Sequence, residues 1–365
     1  MPPKLYKLER GYDEMHVLII GGTKFIGPYI VRQLLESRHD VTVFHRGQTQ
    51  ADLPPSVRHI LGDRRDLAQY AAQFTQFAPQ VVLDMIPATE HDGVILMQTL
   101  RGIAERVVAI SSMDVYRAYD RLRMADPGPP DAVPLTEKAP LRDQLYPYRA
   151  TAKSADEWTY NYDKILVERA VMRDPQLPGT VLRLPAVYGP GDRQHRLGKY
   201  LRSMDDRRPA ILLDEQMMSW RWTRGYVENV AAAIVLAITL PQAAHRIYNV
   251  GDEPALTEQE WIRHIGQHAH WSGRVVGVPG EQLPEHLKQD LDCAQNLVVD
   301  TGRIRSELGY AEIVADDEAI RRTITWERAH PLEDGAPIQD NYAAEDAVLA
   351  AIGAVDGSTN QAKQP

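Results

Sequence analysis

The sequence predicts an α/β protein: a doubly wound, mostly parallel sheet followed by a smaller mixed C-terminal unit. Short β-branched runs alternate with helically spaced apolar residues through the first half, and a glycine-bearing turn joins the first such pair. Beyond residue 190 the alternation lapses. The first run, His16–Ile20, reads as a buried strand ending in Gly21-Gly22. Residues 25–37 then carry Ile26, Tyr29, Ile30, Leu34 and Leu35 at helical spacing. Further strands are expected at 41–44, just before Gly62, and at 81–83, 107–110 and 180–184, with helices at 64–77, 92–104 and 160–173. Pro-rich, acidic residues 125–145 predict a long loop ahead of the last of these helices. Later helices are expected at 195–206, 227–240, 257–270 and 316–329, and a short Ala-rich one near 343–352.

Composition narrows the class. At 365 residues with 44% in the hydrophobic class, the chain can bury a core large enough for two units. Its net charge of −9 opposes non-specific attraction to nucleic acid or to an anionic membrane. The longest apolar stretch, 230–238, falls far short of the ~20 residues a membrane span needs. Residues 1–14 are polar and charged, unlike a signal peptide, and Met15 is an alternative start. One cysteine, Cys293, excludes an internal disulfide framework and suits a reducing cytoplasm.

The turn reads Gly21-Gly22-Thr23-Lys24-Phe25-Ile26-Gly27. Gly21 permits a tight exit from the strand and Gly27 close packing of helix on sheet, while the helix N-terminus attracts a pyrophosphate. Lys24 stands where a middle glycine is usual. The second strand ends in His45-Arg46, with no carboxylate to grip a ribose diol. Arg46, with Lys24 close by, can instead clamp a 2′-phosphate, which favours NADP over NAD. Asp63, in Gly62-Asp63-Arg64-Arg65-Asp66, reads either as an acceptor for an adenine amino group or as a helix N-cap.

Tyr160-Asn161-Tyr162-Asp163-Lys164 gives that turn a chemical purpose. On a helix, Tyr160 and Lys164 would share one face about a turn apart. The ammonium would then lower the phenol pKa from its usual value near ~10. Such a phenol exchanges a proton with a substrate hydroxyl while a nicotinamide exchanges the hydride.

In order along the chain, the turn, Gly62-Asp63, Ser111-Ser112-Met113-Asp114-Val115-Tyr116, Tyr160/Lys164 with Glu168, residues 182–192 (LRLPAVYGPGD) and Tyr248-Asn249-Val250-Gly251 resemble the extended short-chain dehydrogenase/reductases. Specifically, the series is similar to the NAD(P)-dependent epimerase/dehydratase family, over residues 15–330. Lys24 in the turn looks like an atypical subgroup that includes the chloroplast stem-loop-binding proteins. The resemblance implies a Rossmann fold and a Ser112/Tyr160/Lys164 catalytic set: Ser112 bonding the reacting oxygen, Tyr160 as acid/base, Lys164 holding the nicotinamide ribose. It also implies cofactor contacts from Gly21, Thr23, Lys24, Phe25, Ile26, Gly27, His45, Arg46, Asp63, Arg64, Ile86, Pro185 and Val187, and substrate contacts from Met113, Arg221 and Arg224. The expected division is a dinucleotide-binding domain over 15–190, with 222–250 returning to it, and a substrate domain of 191–221 and 251–330. Residues 1–14 form an extension and 331–365 a tail.

Departures from the family narrow the chemistry. The acidic pair that dehydratases carry after the Ser is here Met113-Asp114, so half of it is missing. Ala186 stands where nucleotide-sugar enzymes carry an Asn, and Ile86-Pro87 replaces two small cofactor-lining residues. The long 125–145 loop reads as a lid over the substrate. Arg221 and Arg224 are either anion ligands or surface ion-pair partners. His264 and His268 have a spacing that can bind zinc, but no metal is expected, since carboxylates near them in sequence are ordinary. Apolar residues surround much of the 92–104 and 160–173 helices, from core burial or from a homodimer interface. The expected function is an NADP-dependent oxidoreductase or epimerase acting on a hydroxyl or carbonyl of a small polar, sugar-like substrate. The alternative is a non-catalytic relative that binds RNA or senses the cofactor; the acidic balance counts against RNA.

Overall fold

The computed structural model describes residues 14–49, 51–331 and 342–353; the expected N-terminal extension and most of the tail lie outside them. In chain order the first half runs β1 (His16–Ile20), α1 (Ile26–Glu36), β2 (Asp40–His45), β3 (Arg58–Leu61), α2 (Ala71–Phe77), β4 (Val81–Asp84), α3 (Glu90–Leu100), β5 (Arg106–Ser112), α4 (Arg117–Leu122), α5 (Lys164–Met172) and β6 (Gly179–Leu184). There follow β7 (Ala186–Tyr188), α6 (Gly198–Asp205), β8 (Ala210–Asp214), α7 (Glu215–Met218), β9 (Arg224–Tyr226), α8 (Val227–Thr239) and β10 (Arg246–Asn249). The chain ends with α9 (Glu258–Ala269), β11 (Arg274–Val278), α10 (Gly302–Leu308), α11 (Asp316–Ala329) and α12 (Tyr342–Ala351).

Seven strands form one parallel sheet in the order β10-β6-β5-β4-β1-β2-β3, a Rossmann-type arrangement. Every pairing within it is parallel, so every connection crosses over a face, and both faces are covered. That explains why β1, β4 and β6 are apolar almost throughout rather than alternating. The chain direction reverses its order across the sheet between β1 and β4. Ligand crevices form at such a switch point, outside the carboxyl ends of the strands. On one face α1 buries Ile26, Ile30, Val31 and Leu34 and packs on α8; on the other α3 packs on α5. Two smaller parallel pairs, β8 with β11 and β7 with β9, lie beyond the main sheet. Leu349 of α12 joins Leu212 and Val278 in a separate small core on the β8–β11 pair.

Two expectations need correction. The helix expected at 160–173 begins only at Lys164, because the Asp163 side chain caps it, accepting from the N–H groups of Ile165 (2.9 Å) and Leu166 (3.4 Å). Tyr160 therefore lies in a turn outside the helix and does not share a helical face with Lys164. The long loop of 125–145 is no free lid. Leu135 pairs with Val299 and the Arg142 backbone bonds Val115, while the Tyr146 N–H is held by Asp163 at 2.6 Å.

Candidate active site

The turn between β1 and α1 is built for close approach. Gly21 and Gly22 have φ of 92° and 80°, where a side chain would be strained. A Cβ on Gly27 would lie 2.2 Å from the Gly22 carbonyl oxygen, so only glycine lets α1 come this near the strand. Thr23 and Lys24 stay at the surface, and Phe25 takes a left-handed φ of 50° to enter the helix. A glycine cradle open to solvent beside a helix N-terminus fits the phosphates of a dinucleotide. Ile86 leans over Gly21 from the end of β4, about half exposed at 51%. Beneath it Asp84 is fully buried and salt-bridged to Arg64, which also engages Asp92. Burial raises the Asp84 carboxyl pKa, and Arg64 opposes the shift.

Several titratable side chains collect where β5 ends. Lys164 opens α5 and is buried, its ammonium donating to the carbonyls of Pro87 (2.5 Å) and Ile110 (2.9 Å). Burial lowers its pKa to about 8, with the charges of Asp114 and Asp84 pulling the other way. The phenol brought here is Tyr162. Its hydroxyl donates to Asp114 Oδ2 at 2.8 Å, and its ring centroid lies 5.8 Å from the Lys164 ammonium. Ser112 accepts the Asp114 N–H at 3.2 Å and also reaches the Tyr162 hydroxyl. Tyr148 donates to the same Asp114 oxygen at 3.2 Å, and Tyr119 meets Tyr148 at 3.1 Å. Burial raises the Asp114 pKa, with Arg142 and Tyr162 countering; burial and Asp114 together raise the Tyr162 pKa. Asp114 Oδ1 is buried with no protein partner. The arrangement is a neutral phenol between a serine hydroxyl and a buried carboxyl, with a cation behind it.

Behind this cluster runs a fully buried network. Ser111 donates to Glu168 Oε1 at 2.6 Å, and Glu168 takes Arg183 through two bonds of 2.9 and 2.7 Å. Arg183 donates to Tyr116 (3.0 Å), which donates to Asn249 Oδ1 (2.5 Å). The network joins β5, α5, β6 and β10.

Trp222 connects the cluster to a cavity of about 210 Å³: it lines that cavity and its indole N–H reaches Met113 Sδ at 3.3 Å. Tyr188 and Trp261 supply further aromatic wall, and Asp252, Glu253, Glu312 and Asp316 supply carboxylates. Burial pushes the Asp252 carboxyl up to about 7. Arg224 also lines the cavity, its guanidinium over the Trp261 ring and taken by Glu258.

The other residues singled out in the sequence scatter. Tyr160 is half-buried in a turn, its ring 4.8 Å from the Arg149 guanidinium and its carbonyl bonded by the same arginine. Asp63 realises its N-cap reading: it accepts from the Arg65 N–H and side chain, which hold its pKa down to about 2. His45 is engaged with His59 at 2.9 Å, leaving Arg46 exposed beside it. Pro185 lies between β6 and β7, and the Val187 carbonyl is bonded by Arg196. Arg221 pairs with Glu260 at 3.6 Å on the surface and does not line the cavity. The sequence marked Asp114 only as half of an incomplete acidic pair, and it gave no place to Tyr162, whose hydroxyl meets that carboxyl. Asp163, an Asp placed one residue before the helix, was the signal that would have found the second.

Comparison with known proteins follows the same lines. The model of the NAD dependent epimerase/dehydratase family matches residues 17–251. The chain is 28% identical over 285 residues to a 2′-dehydrokanamycin reductase of Streptomyces kanamyceticus, covering 76% of this chain and 73% of that one. It is 29% identical over 123 residues, 30% of this chain and 32% of the other, to the chloroplast stem-loop binding protein of 41 kDa b of Arabidopsis thaliana. Among solved structures, the UDP-glucose 4-epimerase of Thermus thermophilus in complex with NAD superposes with a TM-score of 0.62 at 23% identity, covering 87% of this chain and 100% of that one. With a parallel sheet, a glycine cradle at its switch point and a family match across most of both, the chain belongs to the NAD dependent epimerase/dehydratase family and is an NAD(P)-dependent enzyme of that type.

Proposed function

We propose that this enzyme interconverts a hydroxyl and a carbonyl on a small, polar, amine-bearing substrate, with NADP as its preferred cofactor. The observation that carries the reading is the Ser112–Tyr162–Asp114 cluster with Lys164 behind it, at the carboxyl end of β5. A bound nicotinamide supplies or removes the hydride. Ser112 orients the reacting oxygen, and Tyr162 gives it a proton as negative charge develops there. Asp114, whose pKa burial raises, is placed to restore that proton, and the Lys164 cation steadies the phenolate formed in between. This assigns to Tyr162 the role the sequence reading gave to Tyr160. Lys24 and Arg46 support NADP: both are exposed, and among the described residues neither forms an ion pair.

The cavity beside Trp222 supports the substrate class. Four carboxylates face it, Arg224 is already taken by Glu258, and Arg305 answers both Glu312 and Glu253. Such a wall repels a diphosphate and attracts an ammonium, while its aromatic rings suit the apolar face of a sugar. At about 210 Å³ it is smaller than the ~300–1,000 Å³ of drug-sized pockets, so it suits a single ring. The similarity to a 2′-dehydrokanamycin reductase supports reduction as the direction. No described helix is long and apolar enough to cross a membrane, and we place the enzyme in the cytoplasm on its single, buried cysteine.

The test is consumption of NADPH, followed at the nicotinamide absorbance band, against three panels: keto derivatives of amino sugars, of neutral sugars and of nucleotide sugars. Turnover confined to the amino sugars is expected. Turnover only with nucleotide sugars overturns the substrate class; turnover with none, despite cofactor binding, overturns the oxidoreductase reading.

A further inference from the structure

We propose that the protein carries a divalent transition-metal site of the zinc type between α9 and α11, held by His264, His268 and Asp317 with solvent completing the shell. His264 and His268 are four residues apart on α9, so their rings emerge from the same face one turn apart. The rings stand nearly perpendicular, at 88°, with centroids 5.0 Å apart. Asp316 and Asp317 open α11, which packs against α9. One donor atom from each of His264, His268 and Asp317 lies within 4.8 Å of the others.

The spacings suit an ion. Zinc bonds of ~2.0–2.2 Å in a tetrahedron place neighbouring ligand atoms roughly 3.3–3.5 Å apart. The His268 Nε2 to Asp317 Oδ1 distance is 3.1 Å, His264 Nε2 to Asp317 Oδ1 is 3.9 Å, and His264 Nε2 to Asp316 Oδ2 is 2.8 Å. The two distances to Asp317 bracket the required value to within a few tenths of an ångström, while Asp316 lies against His264 beside the three-ligand group.

Two further points separate this from a pair of ordinary ion pairs. His264 Nε2 is shut off from solvent and faces two carboxylates, Asp316 at 2.8 Å and Asp317 at 3.9 Å. A shielded imidazole nitrogen turned toward carboxylate oxygens is a donor already aimed at where a cation would sit. Two imidazoles and one carboxylate, with Asp316 close by, also set negative charge around a cation, and nitrogen with carboxylate oxygen is a donor set zinc accepts. The sequence offered only the histidine pair; the carboxylates arrive from about fifty residues downstream through the fold. Because Asp316 also lines the acidic cavity and accepts from Tyr188 at 3.4 Å, an ion here would fix one wall of that cavity without entering it.

The test needs no turnover. Full-length protein without a histidine tag is stripped with a chelator and titrated with Co(II). One equivalent per chain is expected, with visible absorption of four-coordinate intensity that stoichiometric Zn(II) abolishes. His268→Asn and Asp317→Asn should each lose this spectrum while keeping the wild-type circular dichroism, and Zn(II) should raise the melting temperature of wild type but of neither variant. His59→Ala, which breaks the exposed His45–His59 pair, should bind as wild type does. Absence of the spectrum in wild type, its survival in both ligand variants, or its loss in His59→Ala overturns the proposal.

Discussion

The hydroxyl of Tyr162 lies 2.8 Å from the Asp114 carboxylate, joining the segment that leads into α5 to the turn that follows β5. Forty-eight residues of sequence separate the two groups. Neither stands out alone: the tyrosine is two residues from the one expected to react, and the aspartate is the surviving half of a broken acidic pair.

Tyr162→Phe should lower kcat by at least ~100-fold, the scale of losing a positioned proton donor, while leaving cofactor affinity within severalfold. Tyr160→Phe should keep kcat within severalfold of wild type, because its ring serves the Arg149 contact, which phenylalanine retains. Steady-state kinetics on both variants decides between the two phenols; the reverse pattern returns the chemistry to Tyr160.

Arg46→Ala should weaken NADPH binding by roughly 10- to 100-fold, the worth of a charge-assisted hydrogen bond, and leave NADH within about threefold. Fluorescence titration with each cofactor measures this. Equal losses for both would mean that Arg46 does not meet a 2′-phosphate.

The pH dependence follows from Lys164. Its folded pKa of about 8 lies below the ordinary 10.5, so burying the cation opposes folding at every pH below about 8. That opposition fades as pH rises from about 8 toward 10.5, where both states become neutral. Activity should run the other way. Turnover that relies on the ammonium should fall above about pH 8, and Lys164→Arg, if it folds, should shift this alkaline limb to higher pH. A pH–rate profile of both proteins checks the assignment.

Glu168→Ala should destabilise the protein by roughly 3–5 kcal/mol, because it strands the buried Arg183 cation among Tyr116 and backbone. Adding Arg183→Met should recover part of that loss, since an apolar side chain needs no counter-charge. Urea midpoints of the two variants and wild type measure the difference; a double variant less stable than Glu168→Ala contradicts the pairing.

Much of the fold was legible because its signals are local. The helices at 227–240, 257–270 and 316–329 appear as α8, α9 and α11 to within a residue or so, since their apolar spacing and flanking polar residues are strong. The parallel sheet could be read from apolar runs too short for helices and from the glycine turn. The site was harder. A Tyr and a Lys four apart suggest a shared helical face, but Asp163 competes by capping and starts the helix at Lys164. The Asp84–Arg64–Asp92 cluster and the Asp316/Asp317 pair beside His264 and His268 depend on contacts between distant segments, which periodicity does not encode.

The chain of contacts from Ser111 through Glu168, Arg183 and Tyr116 to Asn249 changes how similarity to this protein should be weighed. Those residues fall in the stretches on which the family resemblance rests, yet they bond one another and hold strands together rather than line the crevice. A match in them speaks for the framework of the sheet and leaves the chemistry above it to be judged from other groups.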